Sequence, residues 1–409
     1  MPTEERVLRH GRRLVRRGSI ARAVVLVAAV AVAGGCEPAG RADGEPEFTT
    51  GDPPYSPTRC TGAPERWELR DQPMATVDPA EHELYWITDA LFWHDSLIAL
   101  AHQSGGEVLF FTLDGELVRR FGRRGGGPGE YRAITQLVRY RADSLAAFDV
   151  RLRRATVMDG NGELGRLVPI GQEHPRVDVL LGSDPEGSLY FEAEWNRFEG
   201  LMTRGTLRVL RVGEGDDAEL LVSLPHTYSY QVRVQGNPSM GNPPFSPLAY
   251  ADLKGRHLVA GRSDSTALYH LDVVSGIARW FSVPCRRAPV SEQDIRGYQD
   301  QLLQNASPDG EARYRELWSQ LEYPDWIPWF KRLLVDRTGH VWLGEYARRY
   351  ADPSKWLIIN LEGRIVARLS TPERFLPMDI GEDYVLGVER DSLDLEWVQM
   401  YALRRSGGR

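Results

Sequence analysis

Short apolar runs separated by polar turns recur along most of the chain. The clearest example is Leu109–Tyr131, where an apolar run turns at Asp114-Gly115 and returns through Leu117 and Val118. An Asp-Gly pair between two apolar runs is typical of a β-hairpin, because it tolerates the positive φ angles of a tight primed turn. The segment therefore predicts two antiparallel strands joined by a short turn.

Six copies of a similar unit follow one another. Each has a polar turn and a short apolar strand, followed in the first five copies by a hairpin of two further strands. The copies begin at Asp95, Asp143, Asp184, Asp252, Asp336 and Glu382. Period-2 alternation between tight turns indicates antiparallel β structure, and the near absence of helical periodicity excludes βαβ units. A sixfold repeat of roughly 47 residues predicts an all-β, six-bladed β-propeller, whose closure into a ring protects the sheet edges.

The last copy lacks a strand at its outer edge. The segment Glu65–Arg70 precedes the first copy and carries Trp67 and Leu69 in alternation. An open sheet edge invites pairing with other chains, and a strand from the N-terminal end would remove that edge. We predict that residues 65–70 pair into the last blade and close the ring.

One segment, residues 291–330, departs from the β pattern. Ser291 and Asp294 fit a capping box at the start of one helix, and Ser307-Pro308 fits the start of a second. Apolar residues follow each start at helical spacing, namely Ile295, Tyr298, Leu302, Leu303, Tyr314, Leu317, Trp318 and Leu321. The sequence thus predicts a helical hairpin inserted between blades 4 and 5.

Aromatic side chains concentrate in and just after the second predicted helix. They are Trp318, Tyr323, Trp326, Trp329 and Phe330. Aromatic residues combine a large apolar area with polar handles, so they suit contact with a ligand or a partner protein. The alternative is that they wedge the hairpin onto the rim of the propeller. If the hairpin covers one mouth of the axial channel, it forms a lid on the pocket that a propeller naturally offers.

The N-terminus has the features of an export signal. Seven arginines lie within residues 1–22, Ala23–Val32 is continuously apolar, and Ala33, Gly34 and Gly35 precede Cys36. This order is typical of a secretory signal peptide, and the apolar run is shorter than the ~20 residues of a stable membrane-spanning helix. The small residues before Cys36 resemble a bacterial lipobox. We predict cleavage before Cys36 and lipid on that cysteine, with an ordinary signal peptide as the alternative.

The composition divides the chain into four parts. Residues 1–35 form the lipoprotein-type signal peptide, and residues 36–63 are rich in Gly, Pro, Asp, Glu and Thr. A segment with so little apolar content cannot bury enough surface to order itself, so we predict a flexible tether. Residues 64–403 form the propeller, and residues 404–409 form a disordered tail.

Cleavage makes the protein strongly acidic. The leader carries seven Arg against two Glu, a net +5, so the formal charge of −7 for the whole chain becomes −12 for the mature protein. An acidic exported protein is a poor candidate for nucleic acid or anionic headgroups. We therefore expect membrane contact through the lipid alone, at the periplasmic face or the outer membrane. We also expect a monomer that binds an unknown small molecule or envelope protein.

Two cysteines remain after processing, Cys60 and Cys285. An oxidising compartment permits a disulfide between them, but they lie far apart in the sequence and only the fold decides whether they meet. Two unpaired thiols, one buried as a small hydrophobe, are the alternative. Neither cysteine has a spacing suited to metal or thiol chemistry.

Signatures of catalysis are absent from the sequence. None of the nine histidines has the spacing of a local metal site, and no G-x-S-x-G motif occurs. Five carboxylates lie at strand ends, namely Asp149, Glu192, Glu194, Glu345 and Glu389. They could converge on the axial channel and bind Ca²⁺, although we favour the interpretation that they are solvated. Arg139 could face the same channel and hold an anion. We assign no catalytic residue, no metal ligand and no cofactor.

The segment Gly122–Tyr131 is rich in glycine, but it lacks the chemistry of a phosphate loop. Such a loop needs Lys and Ser or Thr after the last glycine, opening a helix, whereas Glu130 and Tyr131 follow here. We interpret the segment as a tight connection between blades 1 and 2.

This segment also carries a family resemblance. The sequence GRRGGGPGEY after a hairpin resembles the bacterial six-bladed β-propeller lipoproteins related to NHL-repeat proteins, as do Trp342–Tyr346, Leu361–Arg364, Tyr384–Asp391 and Val398–Leu403. The resemblance covers about residues 65–403 and implies the propeller fold. It brings no catalytic residues, because that group has no established activity.

Two hypotheses for function remain. The first is a lipid-anchored propeller that binds a ligand or protein through its channel and helical insertion, and we favour it. The second is a metal-dependent lactonase-like hydrolase, or an NHL-type lyase, that uses the axial channel with Ca²⁺.

Overall fold

A computed structural model describes residues 58–61, 64–141, 143–159, 162–171, 176–199, 202–213, 218–241, 243–304, 306–346 and 354–405. The predicted signal peptide, Cys36, most of the tether and residues 406–409 lie outside these ranges. Six antiparallel sheets form the blades of a propeller. The all-β, six-bladed prediction, with helices between blades 4 and 5, is confirmed.

Each blade has four main strands, A to D, from the axis to the rim. Blades 1 and 2 consist of Ile87–Trp93, Leu97–His102, Glu107–Thr112 and Leu117–Phe121, then Ile134–Tyr140, Ser144–Asp149, Arg154–Asp159 and Leu164–Pro169. Blade 3 consists of Arg176–Ser183, Leu189–Glu199, Met202–Val212 and Ala218–Val234, with a fifth strand at Asn237–Gly241. Blades 4 and 5 consist of Ala249–Lys254, His257–Arg262, Ala267–Asp272 and Ala278–Ser282, then Phe330–Val335, Val341–Glu345, Lys355–Ile359 and Ile365–Ser370. Blade 6 starts with Phe375–Ile380, Tyr384–Arg390 and Glu396–Arg404.

The repeat seen in the sequence begins one strand late, at the turn between strands A and B, except in blade 4, where Asp252 lies within strand A. An aspartate at this turn organises the copies in blades 3 and 5. Asp336 accepts the N–H groups of Thr338 and His340 and the indole N–H of Trp342, at 2.9, 2.9 and 3.0 Å. Asp184 makes the equivalent contact with the hydroxyl of Tyr190 at 2.9 Å. The aspartate thus satisfies turn donors and fixes a large side chain of strand B in the core.

The ring closes with the N-terminal segment, but as three short strands on two blades. Glu68–Leu69 and Ala75–Val77 pair antiparallel with strand C of blade 6, whereas Glu65–Arg66 pairs parallel with strand D of blade 5. Closure is therefore confirmed, and the assignment of 65–70 as one strand of the last blade is wrong. Trp67 is inserted where the chain crosses between the blades, and Pro73, which has no N–H to donate, lies where the pairing with blade 6 is interrupted.

The glycine-rich segment connects blade 1 to blade 2, as predicted. Its two ends, Arg123–Arg124 and Glu130–Tyr131, pair in parallel, and the Glu130 carboxylate accepts the N–H groups of Gly126 and Gly127 at 2.9 and 2.8 Å. Gly122 has a φ of +94°, and a Cβ there would lie 2.7 Å from the ring of Tyr131. Glycine is thus required by both the backbone conformation and the packing.

Three helices accompany the sheets in the part of the chain that the structure describes: α1 (Pro79–His82) precedes blade 1, and α2 (Glu292–Leu303) and α3 (Pro308–Trp318) form the insertion. The capping box is present, since the Ser291 side chain accepts the N–H of Asp294 and Asp294 accepts the N–H of Ser291. Phe330 already belongs to strand A of blade 5, so the insertion ends just before the predicted boundary. No helix in the described ranges is both long and apolar enough to span a bilayer.

Both ends of the propeller reach further than predicted. Thr58–Cys60, expected in the tether, pairs antiparallel with Cys285–Arg287, and a disulfide joins Cys60 to Cys285. Strand C of blade 6 runs through Arg404, and Arg405 binds Asp336 at 3.0 Å. Hydrogen bonding therefore holds residues 58–60 and 404–405 in the folded body, because these backbone and guanidinium groups find fixed partners there.

Candidate functional site

A cluster of charged side chains crosses the propeller axis at one face. Asp379 is fully buried, and its carboxylate accepts hydrogen bonds from Lys254 at 3.1 Å, Arg337 at 2.8 Å and Tyr384 at 2.9 Å. The Nη1 atom of Arg139 lies 3.6 Å from the same carboxylate. These residues come from blades 6, 4, 5 and 2, and strands from so many blades meet only at the axis.

This cluster forms a floor to the axial channel. Asp379, Lys254 and Arg139 all lie at or next to the C-terminal ends of their A strands, and a main-chain N–H of blade 1, from Phe92, donates to Asp379 at 3.1 Å. We call this group the floor cluster and its side of the ring the lower face. The upper face is the one where the A strands begin.

Opposite charges set the protonation of the floor cluster. Burial alone would raise the pKa of Asp379, but the charges of Lys254 and Arg337 hold it below its usual value. Burial alone would lower the pKa of Lys254, but Asp379 and Asp252 hold it above its usual value. Arg139 was predicted to hold an anion in the channel. In the structure its guanidinium already faces the carboxylate of Asp379 and also donates to the carbonyl of Phe92.

Side-chain acceptors on the A strands link blade 1 to blade 2 and blade 4 to blade 5 above the floor. Asp89 of blade 1 accepts the N–H of Leu137 in blade 2 at 2.8 Å, and Asp252 of blade 4 accepts the N–H of Val335 in blade 5 at 2.6 Å. Burial raises the pKa of Asp89 to about 7, despite the N–H of Leu137 and the charge of Lys254. Asp89 and Asp252 keep some accessible surface, as expected for groups that line a narrow channel.

A second group of carboxyl groups lies beside the axis between blades 3 and 4. Along strand B of blade 3, Phe191 and Ala193 pack against blade 2, so Glu192 and Glu194 point the other way, towards blade 4. Burial, together with the charges of Asp178, Glu194 and Asp252, raises the pKa of Glu192 to about 8. At neutral pH this side chain is therefore largely protonated.

Several aromatic rings lie towards the upper face of blades 4 and 5 and the insertion. Tyr250 and Phe330, at the starts of their A strands, have ring centroids 5.6 Å apart. Phe245 lies 6.4 Å from Tyr346 and 6.1 Å from Tyr298 of helix α2. We call the site formed by Glu192, Glu194, His226, Tyr250, Asp252 and Tyr346 the Glu192 pocket.

His226 is a neutral member of the Glu192 pocket. Burial lowers the pKa of His226, although Glu194 acts in the opposite direction. Its Nδ1 atom accepts the N–H of Ala249 at 3.1 Å, so the remaining ring proton lies on Nε2. The ring therefore offers a hydrogen-bond donor without adding a positive charge.

A cap covers the upper face near blades 3 to 5. It consists of helices α2 and α3 and the part of blade 3 that extends beyond its neighbours, residues 225–241. The Gln235 N–H donates to Glu316 of α3 at 2.9 Å, and Gln320 donates to the carbonyl of Arg233 at 2.7 Å. The insertion was predicted from the sequence, but the blade 3 extension was missed, because its alternating residues look like an ordinary long hairpin.

The structure separates the five aromatic residues singled out in the sequence. Trp318, Trp329 and Phe330 are buried, and the latter two belong to the core between blades 4 and 5. Tyr323 is partly buried and accepts a hydrogen bond from Gln299 at 3.0 Å. Trp326 remains 38% exposed beneath the guanidinium of Arg287, at 4.5 Å. Only Tyr323 and Trp326 keep solvent-accessible side-chain surface on the insertion. Most of these aromatic residues therefore hold the insertion on the propeller.

The five carboxylates considered from the sequence also have different fates. Asp149 is fully buried and accepts four main-chain N–H groups, Glu345 pairs with Arg368, and Glu389 accepts the hydroxyl of Tyr401. Glu192 and Glu194 alone lie in the pocket. In the ranges the structure describes, no three His, Cys, Asp or Glu side chains are arranged to hold a metal ion. The residues present therefore do not fit a calcium centre, and we derive no metal-dependent step.

The most informative residues of the channel were missed in the sequence. They are Asp89, Asp252, Lys254 and Asp379, all on A strands. Asp89 and Asp379 precede their repeat units, whereas Asp252 was noticed only as the start of the fourth copy. Each is a charged residue within an otherwise mainly apolar strand. A charge in a short buried strand requires a partner, so the sequence did contain a signal. The partner itself lies on another blade and could not be identified from the sequence.

Comparisons with known proteins bear on the fold alone. No family model and no curated protein matches the chain. Among solved structures, a Bacteroides fragilis protein described as an exported-protein candidate is 10% identical, covers 86% of this chain and 96% of its own, and gives a TM-score of 0.44. A DUF4221 family member from Bacteroides vulgatus is 11% identical, with coverages of 85% and 98% and a TM-score of 0.40. Virginiamycin B lyase from Staphylococcus aureus is 11% identical, with coverages of 82% and 88% and a TM-score of 0.38. Likenesses this distant carry no argument about chemistry.

Proposed function

We propose that this protein is an exported, lipid-anchored β-propeller that binds a small molecule in the Glu192 pocket. The observation that carries the proposal is the combination of a closed floor and a lined pocket above it. The floor cluster fills the axis at the lower face, while Glu192, Tyr250 and Asp252 keep accessible surface above it. A recessed polar site of this kind suits a small molecule better than a flat protein surface.

The binding test compares two aromatic truncations on blade 4. Tyr250→Ala removes a wall of the Glu192 pocket, whereas Trp280→Ala removes a ring that is 54% exposed on the outer strand. Titration of the full chain with a panel of neutral, anionic, cationic and zwitterionic molecules, followed by calorimetry, should find a binder of 1:1 stoichiometry. We expect Tyr250→Ala to weaken that binding about tenfold, or ~1.4 kcal/mol, and Trp280→Ala to leave it unchanged.

Circular dichroism of both variants checks that the propeller remains folded. A panel without any binder, or a binder that both variants retain equally, would show that the pocket is not a ligand site.

The anchor is tested separately. The run of small residues before Cys36 supports lipidation of that cysteine. The full chain produced in a bacterial host should partition into the detergent phase of Triton X-114, and Cys36→Ser should move it to the aqueous phase, because an acyl group contributes about 0.8 kcal/mol per buried methylene. Detergent partitioning that persists in Cys36→Ser would contradict the anchor.

A further inference from the structure

Two arginines at the lower face share the same hydrogen-bond acceptors. The guanidinium groups of Arg139 and Arg337 both donate to the carbonyl of Phe92, the latter at 2.9 Å. Both also face the Oδ2 atom of Asp379, with Arg337 at 2.8 Å and Arg139 at 3.6 Å. These contacts hold two positive charges side by side at one end of the axial channel, where they repel each other.

The negative charge beside the arginines is shared with a third positive group. Within the described ranges, Asp379 is the one buried carboxylate in contact with the two arginines, and Lys254 binds its Oδ1 atom at 3.1 Å. Asp95 lies 3.9 Å from Nη1 of Arg337, but its side chain is 89% exposed, so water screens this pair strongly. One buried carboxylate therefore faces three positive groups.

Two further carboxyl groups lie above the floor cluster, away from the lower face. The oxygens of Asp89 and Asp252 already accept main-chain N–H groups, at distances between 2.6 and 2.9 Å. Their charges act on Lys254, whose pKa they raise. Carboxyl groups thus lie above the floor and guanidinium groups on its lower side, so the excess of positive charge is greatest at the lower face.

The arginines keep hydrogen-bond donors that the described residues do not use. A guanidinium group has five N–H donors. In the described part of the chain, Arg139 donates to the carbonyl of Phe92 alone, because the carboxylate of Asp379 lies beyond hydrogen-bond distance. Arg337 donates there through Nη2 only, and its buried Nε has no partner. This shortage of acceptors favours a ligand that supplies oxygen atoms.

The two arginines are accessible from the lower face. The side chains of Arg139 and Arg337 are 32% and 26% exposed, whereas Asp379 is fully buried. A small anion therefore reaches the guanidinium groups without displacing Asp379. The guanidinium of Arg337 also lies over the ring of Tyr384, 5.1 Å from its centroid, and this stacking holds it in place, so little order is lost on binding.

We propose that the lower face of the floor cluster binds a small oxyanion between Arg139 and Arg337. The oxygens of the anion accept N–H groups from both guanidinium groups, and its charge relieves the repulsion between them. The forked donors of arginine match the paired oxygens of phosphate and carboxylate groups. The site lies on the other side of the floor from the Glu192 pocket and does not depend on it.

Inorganic phosphate is the probe for the site. Differential scanning calorimetry of the full chain compares sodium phosphate with sodium chloride at the same ionic strength and neutral pH. A ligand that binds only the folded state raises the melting temperature as its concentration exceeds Kd, and we expect a rise of about 2 °C at tenfold Kd. Sodium acetate, tested in the same way, shows whether a carboxylate group binds as well as a phosphate group.

Arg139→Gln should weaken phosphate binding about tenfold, because it removes one of the two guanidinium groups. It leaves Asp379 with Lys254 and Arg337, so the propeller should remain folded. Arg279→Gln is the matched control, since it makes the same change in an exposed pair with Glu362 and should keep the native affinity. Phosphate also stabilises folded proteins by exclusion from their surface, but that effect is common to all variants.

Asp379→Asn should change the affinity in the opposite direction. It removes the negative charge that competes with the ligand for the arginines, so phosphate should bind about tenfold more tightly and restore part of the lost stability. A cluster with a structural role alone predicts no such gain. If Asp379→Asn does not fold, the comparison of Arg139→Gln with Arg279→Gln decides by itself.

Equal effects of phosphate on the native protein, Arg139→Gln and Arg279→Gln would overturn the proposal and leave the arginines as structural groups. A melting temperature that depends on ionic strength but not on the choice of anion would overturn it as well. Stabilisation by acetate that matches that by phosphate, and is lost in Arg139→Gln, would support the site and extend it to carboxylate groups.

Discussion

Asp379→Asn is expected to lower the free energy of unfolding by about 3–5 kcal/mol, because removing one member of a buried charge network leaves the others uncompensated. Asp379 has no exposed surface and binds Lys254, Arg337 and Tyr384. An asparagine keeps the size of the side chain but loses the negative charge, so three partly buried positive groups, Lys254, Arg337 and Arg139, remain without it. Urea denaturation followed by far-ultraviolet circular dichroism measures the change.

The dependence on pH gives a second readout of the same variant. The pKa of Asp379 is lower in the folded protein, so its contribution to stability is present above about pH 4 and is lost as the pH falls below that value. The difference between Asp379→Asn and the native protein should therefore shrink in acid.

Glu362→Gln is a matched control, since it removes a charge from an exposed pair with Arg279 and should change stability by less than about 0.5 kcal/mol. Adding Lys254→Met to Asp379→Asn should restore part of the loss. Equal stabilities of Asp379→Asn and Glu362→Gln would show that the floor cluster does not hold the blades together.

Trp67→Ala is expected to destabilise the ring by about 3–5 kcal/mol, the usual loss when a large aromatic side chain is removed from a core. Trp67 is 3% exposed and lies in the closing segment. Its ring is 5.3 Å from that of His340 and 6.1 Å from that of Trp342, and the guanidinium of Arg405 lies over it at 4.4 Å. The side chain therefore joins the N-terminal segment, blade 5 and the C-terminal end. Differential scanning calorimetry of the full chain should show a lower melting temperature.

A second tryptophan variant shows how much of the lost stability is due to the position of Trp67 in the closing segment. Trp280→Ala removes the same side chain from the exposed edge of blade 4 and should change stability by less than about 1 kcal/mol. A melting temperature that falls equally little in Trp67→Ala would mean that the N-terminal segment adds nothing to the stability of the ring.

Local patterns in the sequence were sufficient for the fold. Turns such as Asp336–Gly339 and Asp114-Gly115 depend on residues a few positions apart, so the strands and their repetition could be inferred without knowing which blades meet. The capping box at Ser291 was equally local. The division of the closing segment between blades 5 and 6 was not predicted, because it depends on where Trp67 fits between two sheets.

The candidate site could be predicted only in part, because its contacts join distant parts of the chain. Glu192 and Glu194 were noticed as strand-end carboxylates, but nothing near them in sequence distinguishes them from Glu345 or Glu389. Glu192 differs from them first by its burial and then by the charges of Asp178, Glu194 and Asp252, of which Asp252 lies on another blade. Aromatic residues near the insertion gave a misleading signal, since burial in the core and exposure in a pocket select the same side chains.

The disulfide between Cys60 and Cys285 determines how a mechanical load enters the propeller. A pull on the chain ahead of residue 58 reaches Cys60 first and passes through the covalent bond to Cys285, where the chain leaves blade 4 for the insertion. The closing strands between Glu65 and Val77 come after the bond, so part of that force bypasses them. The bond therefore shields the short closing strands from part of the tension on their own N-terminus.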